Sequence, residues 1–329
     1  MNTTGDQAGQ LSLEQASAKL EALEAMIARA VIGQNQVIRE SVVALVAAGH
    51  VLLEGLPGVG KTLLVRAMAA AMGGRFSRIQ FTPDLMPSDV TGHAMLDLKS
   101  EEFRIRRGPI FCNLLLGDEI NRAPAKTQSA LLEAMQEQQV TIEGRALPLA
   151  PPFLVFATQN PIEQEGTYPL PQAQIDRFLL KVFVDYPDER EEIAMVRQAT
   201  QGQVGDQLDT SRVEQVLSTQ DLEAIQRIAA SLEMDDSILG YAVRLVRTAR
   251  DWQGIETGPG PRATLALVRA ARGHALASGN GFVTPDDIKV MAPSVLRHRL
   301  KLTADLEIEG YQPDDVLRDL LAGVPAPRV

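Results

Sequence analysis

One octapeptide restricts the fold of this 329-residue chain more than any other feature. Gly55-Leu56-Pro57-Gly58-Val59-Gly60-Lys61-Thr62 follows the apolar run Val51-Leu52-Leu53 and leads into an Ala/Leu-rich stretch with helical spacing, residues 62–72. It fits the pattern G-x-x-x-x-G-K-[ST] at every fixed position. The glycines permit tight turns that aim successive backbone N–H groups at phosphate oxygens, and the following helix adds its N-terminal dipole. Lys61 supplies a point charge for the β- and γ-phosphates, and the Thr62 hydroxyl is a ligand for Mg²⁺. The loop needs a strand before it and a helix after it, as found here, so the chain is expected to hold ATP and Mg²⁺ on an α/β layer.

The rest of the first half agrees. Apolar runs at 76–81, 110–116, 153–157 and 178–184 join the one before the loop, with helical segments at 62–72 and 127–136 between them. Strands alternating with helices predict a five-stranded parallel sheet, doubly wound. Upstream, Leu20, Leu23, Ile27 and Val31 have helical spacing, Val31-Ile32-Gly33-Gln34 interrupts, and residues 34–48 resume it. After Tyr186-Pro187-Asp188 the pattern changes: segments at 189–200, 222–231, 237–252, 264–278, 285–291 and 314–321 read as helices, and no further strand is expected. Pro285 after Thr284 marks a helix start. The expected organisation is a disordered polar start at 1–12, an α/β nucleotide-binding core at 13–186, a linker with one helix at 187–210, and an all-helical lid at 211–329. Within the linker, residues 202–209 read as a glutamine-rich joint.

Two further strand ends carry chemistry. Leu114-Leu115-Leu116-Gly117-Asp118-Glu119 delivers adjacent carboxylates to the C-terminal edge of the sheet, where ligands bind in open α/β folds. Asp118 would hold Mg²⁺ directly or through water, and Glu119 would act as general base on the attacking water. Phe153-Leu154-Val155-Phe156-Ala157-Thr158-Gln159-Asn160 ends in an amide that either orients that water or simply caps a turn before Pro161.

Composition narrows the classes that remain. A net charge of −10 and a pI near 5.0 disfavour a phosphate-backbone partner. Aromatics make up only 4% of the chain, which suits cores of Ala, Leu, Val and Ile. The single cysteine, Cys112, lies in an apolar run and reads as a buried small hydrophobe; it excludes a disulfide framework and fits the cytoplasm. No apolar stretch approaches a membrane span, and the four histidines lack ligand spacing, so no protein metal centre is expected.

Taken together, Val31-Ile32-Gly33-Gln34, the glycine loop, Asp118-Glu119-Ile120-Asn121-Arg122-Ala123, Ala157-Thr158-Gln159-Asn160-Pro161, Glu165-Gly166-Thr167-Tyr168-Pro169-Leu170-Pro171 and Ile175-Asp176-Arg177-Phe178 resemble the signature blocks of MoxR-family AAA+ ATPases. The Gly-Thr-Tyr-Pro-Leu-Pro block is specific to that family. One departure is Gln172, where the family pattern is expected to carry an acidic residue, beside the subunit contact. The resemblance implies that Val31, Ile32, Gly33 and Gln34 pack around the adenine. It implies that Gly55, Pro57, Gly58, Val59, Gly60, Lys61 and Thr62 hold the phosphates. It makes Arg177 similar to the arginine finger offered to a neighbouring subunit, against the alternative of a surface ion pair with Asp176. Arg262, in Gly260-Pro261-Arg262-Ala263-Thr264, resembles the sensor-2 arginine, acting on its own or a neighbour's nucleotide, against an ordinary exposed first-turn arginine.

Residues 92–107 and 140–149 read as hairpin insertions, which in the wider clade face the ring pore or a remodelled partner. The resemblance implies a homo-hexameric, chaperone-like ATPase, often working with a von Willebrand factor A domain protein and sometimes in metal or cofactor insertion. A metal-chelatase-type ATPase subunit and a DNA translocase or helicase are the alternatives from other classes. The second hairpin carries one arginine, Arg145, beside Glu143, a poor track for phosphates.

Overall fold

In a computed structural model that describes residues 11–97, 101–160, 167–200 and 210–327, the apolar runs form one parallel sheet. The strands in chain order are β1 Val51–Gly55, β2 Phe76–Gln80, β3 Gly92–Asp97, β4 Glu102–Arg107, β5 Leu114–Asp118, β6 Gln139–Ile142, β7 Arg145–Pro148, β8 Leu154–Gln159 and β9 Leu180–Val184. The central sheet has the order β2-β5-β8-β1-β9, with every pairing parallel. The two insertions are antiparallel hairpins, β3–β4 and β6–β7, as their alternation predicts.

The near-continuous apolar runs reflect burial on both faces. Val51, Leu53, Leu114, Leu116, Leu154 and Phe156 point into one core, whereas Leu52, Leu115, Val155 and Ala157 point into the other. The first core is closed by α1 Leu13–Ala28, α2 Asn35–Val46 and α3 Lys61–Ala71. The second is closed mainly by α4 Pro87–Thr91 and α5 Ala125–Glu137. A short α6 Gln172–Ile175 precedes β9, and the exposed α7 Glu189–Thr200 follows it.

The lid comprises α8 Thr219–Ser231, α9 Asp236–Thr248, α10 Pro261–Ala277, α11 Pro285–Leu296, α12 Ala304–Ile308 and α13 Pro313–Gly323. Its apolar residues, among them Leu222, Leu245, Leu267 and Leu276, belong to the same core as α1, α2 and the sheet face above them. Local chemistry sets the helix starts. Ser12 caps α1 with a reciprocal bond to Gln15, and Thr284 caps α11 with Asp287 while Pro285 occupies the first turn, where its missing N–H costs nothing.

Two expectations are corrected. Residues 110–113 are not strand: β5 begins at Leu114, and the preceding segment is a turn in which the Asn113 side chain accepts from Arg75 N and donates to Pro152 O. Ile110 and Cys112 are apolar because that turn is buried, and burial pushes the Cys112 thiol up to about 11. The lid is not purely helical. Ile255–Thr257 (β10) and Lys301–Leu302 (β11) form an antiparallel ribbon too short to show a period in sequence. The polar start at 1–10, Pro161, Glu165-Gly166 and the joint at 202–209 lie outside the described residues. Among the described residues no helix is long and apolar enough to cross a membrane.

Candidate functional site

The glycine loop leaves the C-terminal end of β1, an inner strand between β8 and the edge strand β9. Gly55 is required there by close approach: a Cβ would lie 2.3 Å from the Val184 carbonyl of β9. Gly58 and Gly60 have φ of +83° and +85°, left-handed values that cost an L side chain about 1–2 kcal/mol. A Cβ on either would meet nothing within 4 Å, so the loop borders open space. Gly60 is also the N-cap of α3, so the helix's positive end lies at the loop. Lys61 reaches back across the loop, its ammonium donating to Gly55 O at 2.6 Å. Burial lowers its pKa, opposed by the carboxylates of Asp118, Glu119 and Glu54. These three acids and the lysine therefore share one electrostatic site.

Strand order explains how they meet. Register pairs Gln80 with Asp118 across β2–β5, and β8 runs along the other side of β5. From β8, the Thr158 hydroxyl donates to Asp118 Oδ1 at 2.6 Å and accepts from the Glu119 backbone N–H at 2.8 Å. One buried hydroxyl thus orients both acidic residues. The other Asp118 oxygen accepts from Arg78 of β2 at 2.6 Å. Glu119 turns the chain off the sheet with a left-handed φ of +55°, strain of a kind concentrated at functional sites. Its Oε2 accepts from Gln80 Nε2 at 2.8 Å and from Arg122 at 3.0 Å. Asn160 is buried one residue beyond the end of β8, on the same edge.

The oxygens of Thr62 and Asp118 are hard donors. Mg²⁺ is commonly held by one or two protein oxygens plus substrate phosphates, and among the described residues no group of three His, Cys, Asp or Glu forms an all-protein cage. The donor set therefore fits Mg²⁺ delivered with a nucleotide. Val31 to Gln34 form the turn before α2. Val31 is buried, and Gln34 Nε2 donates to Asp185 O at 2.7 Å, immediately after the Val184 that abuts Gly55. That contact sets the turn beside the mouth of the phosphate loop.

Arg177 and Arg262 stand elsewhere, and together. Both line an open cleft of about 330 Å³ with Arg269, Arg299, His50 and Asp176. No residue of the phosphate loop, nor Asp118, Glu119 or Asn160, lines it. The Asp176 carboxylate is taken by Arg299 at 2.7 Å, so the Asp176–Arg177 surface pair expected as an alternative is replaced by a different bond. Arg177 Nε is buried without a hydrogen-bond partner. Arg262 is exposed in the first turn of α10, where a cation opposes the helix dipole. Beneath them His50 is buried: Nδ1 accepts from Val155 N–H and Nε2–H donates to Met135 O, both at 3.0 Å. Burial pushes its pKa down to about 4.

Sequence reasoning missed Thr158, Gln80, Arg78 and Arg122. Thr158 alone carried a signal, a hydroxyl inside an otherwise apolar strand next to a singled-out strand end.

Comparison with known proteins gives two family matches, to the ATPase family associated with various cellular activities (AAA) over residues 50–180 and to the AAA lid domain over residues 247–320. The chain is 45% identical over 314 residues to the chaperone MoxR1 of Mycobacterium tuberculosis, covering 92% of this chain and 81% of that one. It is also 45% identical over 301 residues to the uncharacterized protein YeaC of Bacillus subtilis, covering 92% of each. The solved structure of a candidate ATPase from Cytophaga hutchinsonii superposes with a TM-score of 0.87 at 37% identity, covering 95% of this chain and 96% of that one.

Proposed function

Since the chain belongs to the MoxR-type AAA+ ATPases, we propose that it hydrolyses ATP in a site shared between neighbouring copies of a homo-hexameric ring, and that the ring remodels or activates partner proteins. The observation that carries this reading is the division of the cations. Lys61 faces Asp118 and Glu119, while Arg177 and Arg262 share a cleft that none of these residues lines. A γ-phosphate held by Lys61 needs further positive charge as its oxygens gain charge in the transition state. A second copy, presenting the Arg177 cleft to the phosphate loop of the first, supplies it. On this reading Arg262 also acts on the neighbour's nucleotide.

In the proposed mechanism the N–H groups of the loop from Gly58 to Thr62 hold the β- and γ-phosphates in line for displacement, and Lys61 exchanges its bond to Gly55 O for phosphate oxygen. Mg²⁺, held by Thr62 and Asp118, would neutralise charge on the β- and γ-oxygens when bound. Glu119 takes a proton from water as the water oxygen bonds to the γ-phosphorus; the bond from that phosphorus to the β–γ bridging oxygen breaks, and ADP departs with the electron pair. Asn160 orients the water, and Thr158 keeps Asp118 and Glu119 in register. Residues 31–34 pack around the adenine. Protein clients, with a von Willebrand factor A domain protein among the partners, fit a chain this close to a protein named as a chaperone. We place it in the cytoplasm on its one buried thiol.

The test mixes two inactive variants. Lys61→Ala lacks the phosphate cation and Arg177→Ala lacks the donated one, so each is expected to be inactive alone. Equimolar mixing is expected to restore turnover, through interfaces that pair an intact loop with an intact Arg177. A mixture as inactive as its parts would defeat the shared site.

A further inference from the structure

The turn after α11, Arg297-His298-Arg299, is a run of three polar residues that are all buried, which a lid surface does not require. Its side chains reach residues 176–183, the stretch that carries Arg177 and runs on into β9. Arg299, with its side chain only 3% exposed, directs all three of its nitrogens there. Nε donates to Asp176 Oδ1 at 2.7 Å, and Nη2 to the carbonyls of Asp176 at 3.2 Å and Phe178 at 2.6 Å. Nη1 donates to Leu179 O at 3.2 Å and to Val295 O. Asp176 and Phe178 are the residues on either side of Arg177.

The neighbouring positions continue the grip. His298 Nε2–H donates to the same Phe178 carbonyl at 3.1 Å, and Gln172 Nε2 donates to His298 O at 2.7 Å. The carboxylate expected at position 172 could not make that bond. Arg297 donates to Lys181 O at 3.3 Å, lies over the Phe183 ring at 4.4 Å and pairs with Asp314 of α13 at 2.9 Å. Arg177 itself has a buried Nε with no partner. The backbone on either side of it is held from the lid.

We propose that Arg299 is a positioning residue for Arg177, a guanidinium of the lid that fixes the loop presenting Arg177 to the next copy's nucleotide. The proposal rests on the shared-site reading above. A planar fork with five donors suits a cluster of carbonyls and one carboxylate; a lysine ammonium, a point donor on a flexible stem, does not reproduce it. Misplacement of a catalytic group by about 1 Å costs on the order of 10²-fold in rate. Each copy's own phosphate loop lies outside this contact. Loss of Arg299 is therefore expected to lower kcat and leave ATP binding in place.

The experiment uses full-length Arg299→Lys, with Asp176→Asn carried in parallel in case the first does not fold. For Arg299→Lys the expected result is a kcat lower by about 10- to 100-fold with ATP affinity within about twofold. Asp176→Asn is expected to lose less, about 3- to 10-fold, since the carbonyl acceptors remain. Direction of rescue then separates positioning from general stability. Mixed with Lys61→Ala, whose Arg177 loop is intact, either variant should regain turnover; mixed with Arg177→Ala, neither should. Rescue by both partners, rescue by neither, an unchanged kcat in both variants, or loss of ATP binding would each overturn the proposal. The Lys61→Ala plus Arg177→Ala mixture is run beside them. If that control recovers and the Arg299 arm does not follow the pattern, the positioning role fails alone; if the control stays inactive, the shared site fails and the proposal with it.

Discussion

His50 makes the fold acid-sensitive in a defined window. Its imidazole accepts from Val155 N–H and donates to Met135 O, an arrangement that only the neutral ring can make. Adding a proton would set a second N–H against the Val155 donor. Burial accordingly lowers its pKa from 6.5 to about 4. A folded-state pKa below the unfolded one means that the unfolded chain binds the extra proton first. The stability contributed by the neutral ring is complete above about pH 6.5 and is lost as pH falls through about 4. The shift of about 2.5 units corresponds to about 3.4 kcal/mol in full, of which about 2 kcal/mol is gone by pH 5. His298, also buried, pulls in the same direction, so the wild-type slope alone does not isolate His50.

The variant His50→Leu does isolate it. It should be less stable than wild type at pH 7.5 by about 1–3 kcal/mol, because two buried backbone groups lose their partner. That gap should shrink by about 2 kcal/mol between pH 7.5 and pH 5. Urea denaturation of both proteins at pH 7.5, 6.0 and 5.0, at one protein concentration, measures it. Parallel stability curves, or an NMR titration placing the His50 pKa near 6.5, would refute the reasoning.

Thr158→Val keeps the shape of the strand and removes the hydroxyl that joins Asp118 to the Glu119 N–H. It should cost about 1–3 kcal/mol in urea unfolding and lower kcat by at least about 10-fold, with ATP affinity changed less than turnover. Gly60→Ala places a Cβ at a φ of +85° on the proposed phosphate-binding loop. Stability should fall by about 1 kcal/mol, and ATP affinity, read by isothermal titration, should fall by more than the same factor.

Local features were the ones legible in the sequence. The phosphate loop could be read because its chemistry is contained in eight consecutive residues, and Asp118-Glu119 because two carboxylates end an apolar run. Pro285 announced its helix in the same way. Contacts that depend on strand order could not be read: Thr158 lies 40 residues from Asp118, and Arg78 lies 40 residues on the other side, joined only because β5 sits between β2 and β8. Arg299 is 123 residues from Asp176. The run at 110–113 misled because burial, not strand geometry, sets its composition, and β10 and β11 were hidden by their length. Position 172 was judged by charge, whereas the structure uses its amide as a donor.

The central claim is that the loop at Gly55–Thr62 binds ATP so that Glu119 can activate water against it. Its most direct measurement is a comparison of ATP affinity and phosphate release for the wild-type protein and Glu119→Gln. For Glu119→Gln the expected result is ATP affinity within a few-fold of wild type and turnover lower by about 10²–10⁴. Phosphate release by Glu119→Gln at the wild-type rate would contradict it.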